Sequence, residues 1–307
     1  MTGNPSLSLD LVSDVRQLVA FPFMVNALEA GTIVAVLAAI VGWYVVLRRQ
    51  SFAGHTLAVM AFPGAAGAAL AGLPTALGYY VACGAAALAM GGRSRPTMRG
   101  YRTETATIGT VQTVGLAAGY LFLSLNTEVL SGFETLLFGT FLGVTQNHVL
   151  VLLAVAVVAL AALALVARPL LFATLDRDVA EASGVPAGAL DVGFLLILSV
   201  AVAATSQVTG ALLVFALLVA PPAAAQAITV RPLPGLVLSV AFGLVIVWLG
   251  LGVAYFSPYP VGFWTTAFAF GLYVVVRVGV FVGRGGARAA WTTRRGGWVV
   301  ASPRAGS

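Results

Sequence analysis

The sequence predicts an all-α protein, a polytopic transmembrane helical bundle that crosses the bilayer about nine times. Apolar residues make up 60% of the 307 residues and charged residues only 8%, and the mean hydropathy is +1.01. This bias places long stretches of the chain in lipid rather than in a water-facing domain. The spans should form one domain over residues 21–282, between a tail at 1–20 and a Gly- and Arg-rich tail at 283–307 that we expect to be disordered.

Apolar runs of about 20 residues, separated by polar or proline-containing links, mark the predicted spans. They begin near Phe21, Thr56, Thr75, Thr107, His148, Leu190, Thr209, Leu236 and Val261. Leu73-Pro74 joins the second span to the third, and both are rich in Ala and Gly, so we expect a tight helical hairpin inside the bundle. The piece FETLLFGTFLG, after the fourth span, is too short to cross and should lie at the membrane interface.

The arginines indicate how the bundle is oriented. Alternate loops place nearly all of them on one side, with Arg16 as the exception. That side carries Arg48, Arg49, Arg93, Arg95, Arg99, Arg102, Arg168, Arg177, Arg231 and the C-terminal cluster. The positive-inside tendency makes it the cytoplasmic side, so the C-terminus should be cytoplasmic. Because these arginines lie in short loops, the net charge of +6 reflects topology and predicts no nucleic-acid partner.

The most charged segment within the bundle reads FATLDRDVAEASGVPAGALD and follows the fifth span, which should end at Arg168-Pro169. Asp176 is a good helix cap, Asp178 and Glu181 bring negative charge toward the helix start, and Gly184 can take the left-handed stop. We therefore expect a short helix near 176–184 on the cytoplasmic face. From these residues alone, it serves equally as a solvated connection or as a handle for a soluble partner.

Three other polar residues are explained by their positions in the predicted spans. Cys83 lies within an apolar run, so it predicts a small packing residue rather than a disulfide or a soft-metal cluster. His148 and Asp191 lie at predicted span ends, where a polar residue needs no special cause.

The chain resembles the permease subunit of the ABC importers that take up zinc, manganese or iron(II). The resemblance runs from Phe21 to Arg277 and is carried by FPFMVNALEAG, VVLRRQSFAGHTLAVMAFPG, FGTFLGV, LDRDVAEASGV and TGALLVFALLVAPPAAA, in this order. It implies an ABC importer permease fold and a homodimer in the inner cell membrane, with an ATPase subunit and an extracytoplasmic metal-binding protein as partners. The sequence has no GxxxxGK[ST] loop. We therefore expect that the chain is not itself an enzyme and that the partner subunit hydrolyses ATP.

The resemblance also implies a role for the charged segment and a cargo. In such permeases, the segment that resembles LDRDVAEASGV is the coupling helix, which docks in a cleft of the ATPase. Contact with the ATPase is thus implied for Asp176, Arg177, Asp178, Glu181 and Gly184. The expected cargo is a divalent transition-metal ion, Zn²⁺ or Mn²⁺, with no permanently bound cofactor.

His55 marks a departure from the family pattern. The family usually has an aspartate where this chain has His55 and a histidine four residues later, where it has Val59. That spacing would put one oxygen and one nitrogen ligand on one helical face, but valine cannot coordinate a metal. Two roles for His55 stay open. Two copies can form a weak transit site across the dimer axis, or the imidazole is a polar group hydrogen-bonded to backbone.

Two proline-containing breaks are candidates for the translocation path. Pro63-Gly64 and Pro221-Pro222 each interrupt an apolar run, and such breaks persist in lipid only where protein or a cavity satisfies the freed carbonyls. Glu29 is an ionisable residue within a span, and it predicts either a path residue or a buried hydrogen bond to a neighbouring helix.

Two other transport functions remain as alternatives. A permease for chelated iron or a corrinoid would use a similar bundle with a wider path. A self-sufficient secondary transporter or channel would need paired intramembrane carboxylates, for which Glu29 alone is thin support. An intramembrane enzyme is least expected because neither HExxH nor a nucleophile and base pair is present.

Overall fold

The computed structural model describes residues 17–18, 20–91, 98–125, 137–139, 143–211 and 213–295, with side chains except at 98–105 and 283–295. Over these residues the chain is helical and contains no strand. The helices are α1 (Pro22–Leu47), α2 (Ser51–Leu70), α3 (Thr75–Gly91), α4 (Met98–Leu125), α5 (Gln146–Leu175), α6 (Arg177–Ala182), α7 (Ala187–Thr209), α8 (Val214–Ile228), α9 (Pro232–Tyr255) and α10 (Val261–Arg295).

The predicted fold class is confirmed. Within the described residues, 7 helices are long and apolar enough to cross a membrane, and α3 and α8 are shorter apolar helices. Together these helices agree with the expected number of about nine spans. The remaining helix, α6, has 6 residues and lies between α5 and α7.

The centre of the bundle is α1, which packs against α5, α7, α8 and α9. Small residues allow this crowding, since a Cβ on Gly42 would overlap the Leu218 carbonyl oxygen of α8. Elsewhere along α1, a Cβ on Gly243 of α9 would lie 3.3 Å from the Ala35 carbonyl oxygen. Packing rather than hydrophobicity drives helix association in lipid, so these close approaches stabilise the bundle.

The fifth span is longer than the sequence predicts. Instead of ending at Arg168-Pro169, α5 continues through Pro169 to Leu175. A proline within a helix removes one hydrogen bond and bends the axis without ending the helix where neighbouring residues keep packing. As a result, α5 runs directly into the charged segment that forms α6.

Part of the segment expected at the membrane interface packs against the end of α7. Residues 137–139 are its described part, and Gly139 and Gly210 both have positive φ, 71° and 79°. A Cβ on Gly210 would overlap the backbone of this segment, so glycine is required at the contact. Residues 126–136 and 140–142 lie outside the described part of the chain.

The last apolar span ends at Val282, which agrees with the predicted end near Phe281, but the helix itself continues further. We expected disorder from residue 283, but α10 continues to Arg295. Propagation of an existing helix is easy, and alanine and arginine in this stretch favour it over the glycines. The predicted tail segments 296–307 and 1–16 lie outside the described residues.

Candidate functional site

The short helix α6 begins as the sequence predicts. Asp176 ends α5 and caps α6, because its Oδ1 accepts a hydrogen bond from the backbone N–H of Val179 at 3.0 Å. Asp178 adds negative charge to the first turn, where the helix dipole favours it. The structure therefore has the predicted cap, and the helix lies within the predicted residues 176–184.

The end of α6 is also as predicted. Gly184 has a φ of 84°, and its N–H donates to the Glu181 carbonyl at 3.0 Å, while the Val185 N–H donates to the Ala180 carbonyl at 2.9 Å. These two bonds form a Schellman motif, which needs a left-handed residue where Gly184 lies. Ala180 is fully buried, whereas Asp178 and Glu181 are exposed. One face of α6 therefore packs on the bundle, and the other is open and charged.

Asp191, in the first turns of α7, connects α6 to α1. Its Oδ1 accepts a hydrogen bond from Nη2 of Arg48, and its Oδ2 accepts one from Nη1 of Arg177 at 2.7 Å. The side chain of Asp191 is 6% exposed and that of Arg48 is 8% exposed. Nε of Arg177 also donates to Oε1 of Glu181 at 3.0 Å. A nearly buried carboxylate is thus shared by two guanidinium groups from different parts of the chain.

Arg48 is held on several other sides. Its Nη1 donates to Oγ1 of Thr174 on α5 at 2.9 Å, and its Nε donates to Oε1 of Gln50 at 3.3 Å. Its guanidinium carbon lies 5.2 Å from the ring centroid of Phe194 on α7. Such a planar, multiply bonded guanidinium fixes geometry in a way that lysine cannot reproduce. The contacts place the ends of α1 and α5, the start of α7 and α6 at one arginine-rich end of the bundle.

The charges around Arg177 keep it ionised. Burial lowers the pKa of Arg177, but the hydrogen bond and the negative charge of Asp191, followed by those of Glu181, raise it, and the net shift is upward. Arg177 thus remains a cation that joins the buried carboxylate to the exposed face of α6.

His55 lies in the second turn of α2, which begins five residues earlier than expected, at Ser51. The ring is half-buried and meets Phe215 of α8 edge to face, with centroids 5.1 Å apart. Nδ1 is buried and has no hydrogen-bond partner in the described part of the chain. Val59, one turn further, is 8% exposed. The imidazole therefore faces α8 with one nitrogen unpaired, and no backbone hydrogen bond to that nitrogen is present among those residues.

Pro63 and Gly64 lie on the other side of α2. Both line a cavity of about 650 Å³ between α2, α3 and α4, with Gly78 of α3 and Val114 of α4 on its walls. This cavity is apolar, and Gly64 lies at the α2–α3 crossing. The structure therefore separates Pro63 and Gly64 from the α8-facing side of His55, although the sequence placed all three on one candidate path.

Pro221 and Pro222 lie in the middle of α8, and both are buried. A Cβ on Gly42 of α1 would lie 3.2 Å from Cγ of Pro222. The second break thus packs against the central helix of the bundle.

Glu29 lies near the opposite end of α1. It is exposed, and Oε2 accepts a long hydrogen bond of 3.5 Å from Nε2 of Gln146. It lines a cavity of about 730 Å³ together with Thr32 and Trp248. With a rise of 1.5 Å per residue, Glu29 is separated from Arg48 by about 28 Å along the helix. Glu29 is therefore far from the Arg48–Asp191 contacts at the other end of α1.

Metal-binding side chains are not clustered in the part of the chain that the structure describes. No three residues among His, Cys, Asp and Glu come together there in a way that would hold a metal ion. His55, which the sequence suggests as a metal residue, belongs to no such group among these residues.

Comparison with known families decides the class of the bundle. The profile of the ABC 3 transport family matches residues 20–279. The chain belongs to the ABC 3 transport family. This match covers almost the whole bundle and confirms the family predicted from the sequence motifs.

The chain is also similar to membrane proteins that are named for metal transport. The manganese transport system membrane protein MntC of Halalkalibacterium halodurans is 28% identical over 241 residues, which are 78% of this chain and 80% of the relative. The chelated iron transport system membrane protein YfeC of Yersinia pestis is 31% identical over 242 residues, or 78% of this chain and 79% of the relative.

The fold of this ABC 3 family member also matches a solved structure. PsaBC from Streptococcus pneumoniae in complex with Fab has a TM-score of 0.74 and 25% sequence identity, and the match covers 87% of this chain and 95% of that one. The bundle described above is therefore the fold of an ABC transporter permease.

Sequence reasoning missed the residue that organises the arginine-rich end of this family member. Asp191 is more than a polar residue at a helix end, because its carboxylate binds both Arg48 and Arg177. The available signal was a lone carboxylate in the first turns of an apolar helix, at the end where arginines gather. The partners themselves are 143 and 14 residues away in sequence, so no local pattern identifies them.

Proposed function

We propose that this chain is the membrane-spanning subunit of an ATP-driven importer of a divalent transition-metal ion, zinc or manganese. Two copies form the path, a separate ATPase subunit supplies the energy, and an extracytoplasmic binding protein delivers the ion. The arginine-rich end and the C-terminus face the cytoplasm, and the bundle lies in the inner cell membrane.

The observation that carries the proposal is the construction of α6. This helix is capped at both ends, Ala180 is buried against the bundle, and the face with Asp178 and Glu181 is open. It is also ion-paired to the bundle through Arg177 and Asp191. A short helix that is rigid, exposed on one side and firmly attached on the other suits a handle by which a soluble ATPase moves the bundle. Asp176, Arg177, Asp178, Glu181 and Gly184 build this handle.

The proposed cargo rests on the relatives and on His55. Among the relatives, one is named for manganese and another for chelated iron. Imidazole is a ligand for several divalent transition metals, and one unpaired nitrogen per copy gives a weak site. Weak binding suits transport, because a conduction site must release its ion.

Metal uptake tests the proposal directly. Cells that lack their own metal uptake receive this gene together with genes for an ATPase and a binding protein of the same system. Uptake of radioactive Mn²⁺, Zn²⁺ and Fe²⁺ is then compared with cells in which the P-loop lysine of the ATPase is replaced. We expect uptake of at least one ion, and we expect it to be lost with that lysine. Transport by the purified chain alone, down an ion gradient and indifferent to nucleotide, would refute the proposal.

A permease for chelated iron is the second candidate, because the relative at 31% identity is named for that cargo. The same cells are therefore also given iron bound to a chelator. Uptake of the intact chelate, with no uptake of the free ions, would favour this candidate.

A further inference from the structure

A continuous series of contacts leads from α6 to the helix that carries His55. Arg177 of α6 binds one oxygen of Asp191, and Arg48 binds the other. Arg48 follows the last residue of α1 and is separated from α2 only by Arg49 and Gln50. Any displacement of α6 that moves the carboxylate therefore reaches the α1–α2 junction.

The contacts are well shielded from water. The Asp191 and Arg48 side chains are 6% and 8% exposed, and that of Arg177 is 24% exposed. Removing one partner of a buried ion pair leaves an uncompensated charge in a poor solvent, which makes such a pair hard to break during a motion. The three side chains should consequently move as one unit, unlike the exposed Glu181 contact, which water screens.

The α1–α2 junction is itself stiff. The Arg49 N–H donates to the Val46 carbonyl at 3.1 Å, and the Gln50 N–H donates to the Val45 carbonyl at 2.9 Å. These bonds close a Schellman motif with Arg49 in the left-handed region, at a φ of 57°. Gln50 is also the N-cap residue of α2, and its carbonyl accepts a hydrogen bond from the Gly54 N–H at 3.0 Å, so a shift of Arg48 carries the start of α2 with it.

We propose that Asp191 is a positioning residue that transmits the displacement of α6, through Arg48, to the start of α2 and so to His55. This inference rests on the proposed function, because it assigns the route by which an ATPase push reaches the path. The alternative is that the three charges only hold the helix ends together.

The number of ions transported per ATP hydrolysed separates the two roles. Arg177→Gln removes the ion pair between α6 and Asp191 and leaves the ion pair between Arg48 and Asp191 intact. With the complete transporter in vesicles, we expect ATP hydrolysis to continue and the transport ratio to fall by about tenfold, within the range of typical coupling energies. Arg168→Gln is the matched control, since Arg168 is exposed at the same end and loses the same charge. It should keep the parent ratio.

A conservative variant and a spectroscopic signal distinguish a loss of transmission from a general disturbance of the fold. Arg177→Lys keeps the charge with fewer bonds, so its ratio should lie between those of Arg177→Gln and the parent. A spin label at Phe52→Cys, an exposed position at the start of α2, should report a nucleotide-dependent change in the distance between the two copies. That change should disappear in Arg177→Gln.

The outcomes are distinct. A parent ratio and a normal label response in Arg177→Gln would overturn the inference. If Arg177→Gln does not assemble, Arg177→Lys decides alone, and a parent ratio there overturns it. If the parent transporter shows no ATP-dependent metal uptake, the proposed function is refuted instead. This result is obtained before any variant is compared.

Discussion

Gly64 of α2 and Gly78 of α3 lie backbone to backbone. A Cβ on either residue would overlap the carbonyl oxygen of the other, and a Cβ on Gly78 would also lie 2.7 Å from the Cβ of Ala68. Because backbone atoms cannot rotate out of the way, this crossing requires glycine in both helices. The contact gives a physical basis for the tight hairpin that the small residues predict.

We predict that Gly64→Ala destabilises the purified protein. Alanine favours a helix over glycine by about 1 kcal/mol, but the clash with α3 forces the two backbones apart, at a cost of about 1–3 kcal/mol. The thermal unfolding midpoint in detergent should therefore fall. Gly84→Ala is the control, because a Cβ there meets nothing within 4 Å. A midpoint that rises equally in both variants would contradict the prediction.

Arg49 provides a second test of backbone strain. As a non-glycine residue at a φ of 57°, it occupies a region that L-residues adopt at a cost of about 1–2 kcal/mol. Arg49→Gly should relieve this strain, but glycine also raises the conformational entropy of the unfolded chain, which offsets part of the gain in stability. The unfolding midpoint should therefore be equal or higher. Arg49→Val should lower the midpoint, because a β-branched side chain fits this region worst. The reverse order would show that the junction is not held in this conformation in the membrane protein.

The cap of α6 predicts an effect on ATPase docking. Asp176→Ala removes the hydrogen bond to Val179 and should cost about 1 kcal/mol of local helix stability. Affinity for the ATPase subunit, measured by titration in detergent, should fall by a few-fold. Asp176→Asn keeps a capping oxygen without the charge and should bind nearly as well. Equal losses in both variants would indicate that the charge, rather than the cap, is what the ATPase needs.

Much of the fold could be predicted because the relevant signals are local. Apolar runs gave the number of spans, and Asp176 and Gly184 gave both ends of α6. The predicted end of α5 at Arg168-Pro169 was wrong, because the helix continues past Pro169, and α10 continues beyond its apolar span, which ends at Val282. A local breaker lowers helix stability, but its neighbours decide whether the helix ends.

The site could be predicted only in part, because its central contacts are distant in sequence. Asp191 looked like an ordinary helix-end residue, and only the folded bundle brings Arg48 to it. The family pattern located His55, but not its ring contact with Phe215. A pattern within one helix cannot show which neighbouring helix a side chain will meet.

The two open roles of His55 lead to the last prediction. If its unpaired imidazole nitrogen touches the passing ion, His55→Ala should lower ATP-dependent metal uptake in a transporter that assembles normally. Phe215→Leu is the matched control, because it removes the aromatic contact and leaves the imidazole in place. We expect uptake to fall severalfold with His55→Ala and to change little with Phe215→Leu, as measured by initial rates in vesicles.

Three outcomes of this comparison are informative. A fall in both variants would assign the effect to packing between α2 and α8, since the shared loss is the ring contact. A wild-type rate in His55→Ala would eliminate the transit-site role and assign the half-buried imidazole to helix packing alone. A fall in His55→Ala alone would identify the imidazole itself as the group that matters, because Phe215→Leu removes the same ring contact and leaves the imidazole in place.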